Sequence, residues 1–442
     1  MKSSCYLFSW IVSLACSPSC LFLLAEAQEQ APSTTPVARP ILEYKSNHLH
    51  VRTDLEQDEA EALYARLEKT VQFAARYWGR DSRGQIECYV VDDLDNWSDK
   101  ELPHKLSRVI IFGIGGATVP NAVGTGNRTR NMPIVFASSR PGIAEHEVIH
   151  AYCIQTFGTG GPEWYKEGMA EIASRGSTRA SGMRCSREQL ASLRTGKRTT
   201  ISEILAVGDT ATRLAAELNS MAKDPEHRGR HVSLKAWKQH HADHVAQARD
   251  EYLRSWAFCY MLLHNPNYAK RFRAVRTLLL SEQPGTFDSC FDAVRDEIDF
   301  EYEFLLDHVA VGYRVDLCRW DWQTRFRPLE GHHSHRTLVE AARGFQASGL
   351  EVVAGQRYNC EAEGQWSTGA GCETTDADGR EDDASRLVGV VMNAFKLGEP
   401  FLLGTNSSFV APMDGRLHLR CNDAWNELSD NEGHIVVKLC LD

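Results

Sequence analysis

The stretch AEHEVIHAYCIQTFGTGGPEWYKEGMAE, residues 144–171, decides how the chain is read. On a helix, His146 and His150 are four residues apart and project from one face, so both imidazoles can reach one ion. Glu147 sits beside them, placed to take a proton from a water activated by that ion. After the GTGG turn (158–161), Pro162 opens a second helix, EWYKEGMAEIAS, which carries Glu163, Glu167 and Glu171. A catalytic zinc takes three protein ligands and keeps a fourth position open. Glu167 is the expected third ligand, folded back over the histidine pair, with Gly168 permitting close helix approach. Glu171, one turn on, can accept a hydrogen bond from the outer nitrogen of a ligating histidine and fix its tautomer. The plain alternative is an amphipathic helix whose two histidines face a core. Glu145 and Glu163 read as capping or solvated charges.

HEVIH followed by WYKEGMAE resembles the gluzincin metallopeptidases, with HExxH on one helix and a glutamate ligand on the next. The W-x-x-E-G-x-A form resembles aminopeptidase-type gluzincins and a set of uncharacterised secreted bacterial peptidase-like proteins. The resemblance implies Zn2+ held by His146, His150 and Glu167, with Glu147 as general base. It also implies a tyrosine that stabilises the oxyanion. Tyr252 in EYLRSWAFCYML takes that place, although the glycine usual soon after it is Trp256 here. The Gly-x-Met-x-Asn motif that recognises a substrate amino terminus is absent from the sequence, so endo- and exopeptidase action both stay open.

Outward from this stretch, 442 residues suggest two or three domains, and 43% hydrophobic with 24% charged residues is a globular composition. A net charge of -10 without a Lys/Arg block argues against a nucleic-acid partner. The apolar run CYLFSWIVSLACSPSCLFLLAEA ends in Ala25 and Ala27 and reads as a signal peptide over residues 1–27. The expectation is therefore a secreted, periplasmic or cell-surface protein with no membrane span in the mature chain. Ten cysteines follow that segment, an even number compatible with disulfides, and none has CxxC spacing.

The expected fold class is multi-domain. Residues 42–125 form an α/β region, with strands at HLHVRT (48–53), IECYVV (86–91) and RVIIFGI (108–114). A helix bearing Leu63, Leu67, Val71 and Ala74 lies between the first two, capped by Thr53 or Asp54. GGATVPNAVGTGN reads as a glycine-rich loop, and MPIVFASS (132–139) as a strand leading into HExxH. Residues 126–325 form the mainly helical, gluzincin-like peptidase domain. From 340 to 442, short alternating strands separated by Gly, Asn and Asp give an all-β sandwich. The histidine clusters WKQHHADH (237–244) and GHHSH (331–335) read as solvated or linker residues.

Within that last region, Asp423, Asp430 and Asn431 gather oxygen donors on one loop between strands, as calcium prefers; a plain Asn/Asp turn is the alternative. The segment is similar to the calcium-dependent galactose-binding lectin of Pseudomonas and its relatives, over about a hundred residues that include GQRYNCEAEGQWSTG (355–369). That resemblance implies Ca2+ bound by the side chains of Asp423, Asp430 and Asn431, with backbone carbonyls of Glu427 and Thr368. Gly433 keeps the family's spacing. Where the family places His and Gln for further sugar contacts, this chain has CETTDADGREDD (372–383), a departure that bears on sugar specificity. An EF-hand reading of that run fails, because Thr374 and Ser385 hold its first and last ligand positions. The combined expectation is a secreted zinc metallopeptidase acting on peptides or proteins, with a lectin-like module directing it to glycans. The competing reading is a calcium-dependent carbohydrate-binding adhesion protein whose gluzincin module is inactive; non-peptide hydrolysis by the same ligands is a third.

Overall fold

The computed structural model describes residues 13–15, 39–104, 106–123, 130–176, 178–207, 242–281 and 283–442. The chain has an N-terminal α/β region, helices in its middle and antiparallel sheets at its C-terminal end. It divides into two compact units. One gathers Met1–Gly176, Lys197–Tyr260 and Phe272–Phe287; the other gathers Ser177–Gly196, Met261–Arg271 and Asp288–Asp442.

The first unit is built on β1 (Leu42–Lys45), β2 (Leu49–Thr53), β3 (Ile86–Val91), β4 (Gly116–Val119) and β5 (Ile134–Ser138). Their order across the sheet is β4-β5-β3-β2-β1, and β2, β3 and β5 run parallel. β3 is almost wholly buried, which is why it reads as a continuous apolar run rather than an alternating one. Between β2 and β3, α1 (Gln57–Trp78) buries Ala60, Leu63, Leu67, Val71, Ala74 and Trp78 along one stripe and ends at Gly79 in the left-handed region. Asp54 does not cap α1. Its carboxylate instead accepts from Asp92 N, Asp93 N and Asn96 Nδ2 at 2.7–2.9 Å, tying β2 to the loop after β3.

Residues 108–114 are not a strand. Ser107–Val109 is helical and continues as a π-turn over Ile110–Ile114, closed by Gly115 at φ 94°. Ile110, Ile111 and Ile114 turn inward while Phe112 stays 43% exposed, so burial on one curved face outweighs the β-propensity of the isoleucines. The glycine-rich segment that follows supplies β4. A Cβ on Gly116 would lie 2.6 Å from Ile143 Cγ2 and 3.2 Å from Glu147 Cγ, so only glycine lets this strand lie against the HExxH helix. The outer edge of β4 is paired antiparallel by Ser13–Ala15, a stretch inside the expected signal segment. Next come α2 (Ile143–Phe157) and α3 (Glu163–Arg175), joined through Gly158 and Gly161, both at positive φ. The long helix α4 (Ala242–His264) follows later in the chain.

The second unit contains a β-sandwich. One sheet has the order β7 (Gln346–Val352), β11 (Gly415–Cys421), β9 (Leu387–Asn393), with two short strands beside β9. The other has β10 (Asn406–Val410), β8 (Arg357–Ser367), β12 (Glu432–Leu441), β6 (Ser334–Glu340). All of these pairings are antiparallel. Leu350, Tyr358, Trp366, Val391, Leu417, Leu419, Ile435 and Val437 form the core between the sheets. The outer face of β9 is covered too: Val388, Val390 and Met392 meet Phe300 and Phe304 of α5 (Arg295–His308), with Trp320 and Phe345. All ten cysteines beyond residue 27 carry free thiols. Among the described residues, no helix is long and apolar enough to cross a membrane.

Candidate metal centres

α2 and α3 pack as a hairpin with its polar residues turned inward. His146, Glu147, His150, Glu167 and Glu171 are all buried. Glu167 Oε2 lies 3.0 Å from His146 Nε2 and 3.5 Å from His150 Nε2. One ligand atom from each of the three falls within 4.8 Å of the other two. Ligands about 2.0–2.2 Å from a tetrahedral ion stand roughly 3.3–3.6 Å apart, so these separations suit a set that shares one ion. His150 Nδ1 and Nε2, Glu147 Oε1 and Glu167 Oε1 are buried without a hydrogen-bond partner. Such atoms are rare in folded proteins, and a divalent cation at this point fits the donor set.

The local electrostatics set the two histidines apart, and an ion would have to displace a proton from His146. Burial lowers His150 to about 4, keeping its imidazole neutral as a ligand requires. Burial also opposes charge on His146, but the Glu167 and Glu171 carboxylates outweigh it and lift that group to about 10. Burial disfavours the Glu167 carboxylate, yet His150, His146 and Lys166 hold it below the usual range. Glu147 is raised to about 8, chiefly by burial.

The supporting residues are specific. Glu171 Oε1 is 3.4 Å from His146 Nδ1, its Oε2 pairs with Arg175 at 2.6 Å, and the Arg175 guanidinium lies 4.3 Å from the centre of the Trp256 ring. Thr118 Oγ1 of β4 is 2.9 Å from Glu147 Oε2. Gly168 lets α3 meet α4: a Cβ there would lie 2.5 Å from Cys259 Sγ and 2.6 Å from Ser255 O. Tyr252 is buried on α4 with its ring centre 6.4 Å from that of His146. Lys166 Nζ is 2.6 Å from Glu163 Oε2 and 3.6 Å from Glu167 Oε1, so Glu163 is a partner of a buried lysine rather than a solvated charge. Thr118, Lys166 and Arg175 escaped the sequence reading. Thr118 lay in what read as a loop, whereas Lys166 stood in plain view beside Glu167.

In the second unit, the loop between β11 and β12 carries Asp423, Glu427 and Asp430, and Asn431 closes it. The β8–β12 register ends by pairing Ser367 with Glu432, so Thr368 and Asn431 directly flank the last paired residues of the two strands. The position of a Cβ on Gly369 is 3.7 Å from Asp430 Oδ2. Asn431 is 5% exposed; its Nδ2 donates to Ala341 O at 3.2 Å, and its Oδ1 has no partner. Asp423 Oδ1 accepts from Ala424 N at 2.8 Å, while its Oδ2 is buried without a partner. Two orphaned oxygens on one loop fit a hard cation. Asp430 and Glu427 are exposed. Buried Arg420 anchors the loop, donating to the carbonyls of Asp423 and Cys421 and stacking 3.7 Å from the Trp425 ring centre; burial lowers it to about 10.

His335 Nε2 is 2.5 Å from Ser348 O, so this member of GHHSH is engaged within the sandwich. His240 and the side chain of His244 lie outside the described residues.

No family model matches the chain, and no curated protein matches it. Among solved structures it is similar to the EclA N-terminal domain, a PllA-like lectin, at 19% identity and a TM-score of 0.21. The match covers 24% of this chain and 96% of that one.

Proposed function

We propose that the chain is a zinc-dependent peptide hydrolase carrying a calcium-binding, lectin-like sandwich. The observation that carries the hydrolase reading is the convergence of His146, His150 and Glu167, buried and within 4.8 Å of one another, beside an intact Glu147. Zinc held there would polarise a scissile carbonyl and acidify a water. Glu147, raised toward neutrality by burial and steadied by Thr118, takes the proton from the attacking water and passes it to the leaving amine. Tyr252 supplies a hydroxyl toward the developing oxyanion. The outer edge of β4 accepts extended backbone antiparallel, as its pairing with Ser13–Ala15 illustrates, and this supports a peptide as substrate. For the sandwich, the partnerless oxygens of Asp423 and Asn431 favour calcium over a plain turn.

The test compares the parent with Glu147→Gln for zinc content and for hydrolysis of casein and a quenched-peptide library. Both should hold about one zinc per chain, with turnover falling by about 10²–10⁴ in the variant. Zinc retention with no cleavage by the parent would remove the peptidase reading and leave an adhesion protein with a structural zinc site. No zinc uptake on reconstitution would make His146 and His150 core residues.

A further inference from the structure

The run 372–383 has an acidic composition, yet most of its aspartates are engaged within their own loop. Asp376 accepts from Asp378 N at 3.0 Å, Asp378 from Thr405 N and Oγ1 at 3.0 and 2.6 Å, and Asp382 from Ala384 N at 3.1 Å. Asp383 pairs with Arg386 at 2.7 Å. Arg380 differs, since it pairs with no carboxylate among the described residues. Its Nη2 donates to Thr368 Oγ1 at 2.5 Å and reaches Ser385 Oγ at 3.3 Å.

Both hydroxyls belong to the wall of the candidate calcium loop. Thr368 is one of its candidate ligands, and Ser385 N donates to Asn422 O, next to Asp423, at 2.8 Å. Hydrogen bonds tie the backbone of the turn that carries Arg380. Arg380 N donates to Ala384 O at 2.8 Å, Asp383 N donates to Arg380 O at 3.0 Å, and Asn422 Nδ2 donates to Asp383 O at 2.9 Å. Asp383 and Ser385 both sit at φ 61°, and a backbone held there away from glycine persists only where its surroundings fix it. An exposed guanidinium is thus presented beside the loop, with Nε and Nη1 making no hydrogen bond among the described residues.

We propose that Arg380 is a specificity residue of the sandwich, which selects uronic-acid saccharides by pairing with their carboxylate. The proposal rests on the reading of this loop as a calcium-dependent saccharide site. A guanidinium offers two parallel donors matched to a carboxylate, and a neutral sugar has no charge to meet them. Asp423 and Asp430 would repel a uronate by themselves, so acidic sugars should bind only in calcium.

Isothermal titration of the full chain tests this, using galacturonate, glucuronate and mannuronate against their neutral parent sugars, with and without calcium. One uronate should bind about tenfold or more tighter than its neutral parent in calcium. Arg380→Ala should erase that margin, bringing the affinities for uronate and neutral parent together. Arg380→Lys, which keeps the charge but loses the planar fork, should retain part of it and serves if the alanine variant does not fold. Equal affinity for acid and parent, or a preference that survives Arg380→Ala, overturns the assignment while the saccharide reading stands. Failure of every sugar to bind calcium-loaded protein overturns both.

Discussion

His146 can present Nε2 to a metal only while its proton stays on Nδ1, and the carboxylate that faces that proton is Glu171 Oε1, 3.4 Å away and not hydrogen-bonded to it. Arg175 in turn fixes Glu171. Removing the Glu171 charge while keeping its shape, as in Glu171→Gln, should weaken zinc binding by about 10–100-fold. Chelator competition on the metal-free protein reads this without reference to turnover, and an unchanged affinity would strip Glu171 of a positioning role. At this scale the sequence was most legible where one helical repeat or a short turn separates the partners. His146, His150, Glu167 and Glu171 fall within 26 consecutive residues, and helical spacing orders them. Thr118 lies 29 positions from Glu147, on a strand whose placement no local pattern announces. Asp54 shows the opposite failure: it sat at a good capping position, but three donors from the loop after β3 competed for its carboxylate and won.

Among elements, the approach of α3 to α4 at Gly168 sets the depth at which Glu167 stands. Gly168→Ala would drive a methyl into Ser255 O and Cys259 Sγ, and backbone cannot step aside as a flexible side chain can. The expected cost is about 1–3 kcal/mol of stability, measured by chemical denaturation, with weaker zinc binding because Glu167 moves along with the helix. A variant as stable as the parent would mean that the two helices are free to separate. Regular elements were read well where periodicity runs long: α1 has its apolar residues at the expected spacing, and β3 its expected bounds. The segment 108–114 was misread because a short apolar run has no period of its own, and burial on one side of a π-turn decided its form. The neighbouring glycines read as loop because glycine marks turns, whereas at Gly116 it marks a strand pressed against a helix.

At the scale of the molecule, a cation held by Asp423, Asp430 and Asn431 should act on the stability of the sandwich. Calcium at a hundred times its Kd would stabilise the unit by about 2.7 kcal/mol. Thermal melts of the chelated full chain should therefore shift upward with added calcium, and Asp423→Asn should abolish the shift. A melting temperature indifferent to calcium in the parent would return the loop to a plain turn. The sandwich itself was legible from alternation and turn residues, since its inward positions recur every second residue along β6 to β12. The allegiance of residues 177–196 and 261–271 to the same unit was not, because it depends on contacts between segments far apart in the chain.

That interleaving bears on how such a gene can be inherited. Each compact unit is assembled from three separate stretches of chain, and the outer face of β9 is covered by Phe300 and Phe304, which precede the first sandwich strand. A recombination event with a single breakpoint at the start of β6 would deliver the sandwich stripped of that aromatic cover, with Trp320 left behind and Phe345 and Trp425 facing water. Lineages that gain or lose the sandwich cleanly are therefore expected to carry the preceding helix with it, so the inherited module begins upstream of the linker that punctuates the sequence.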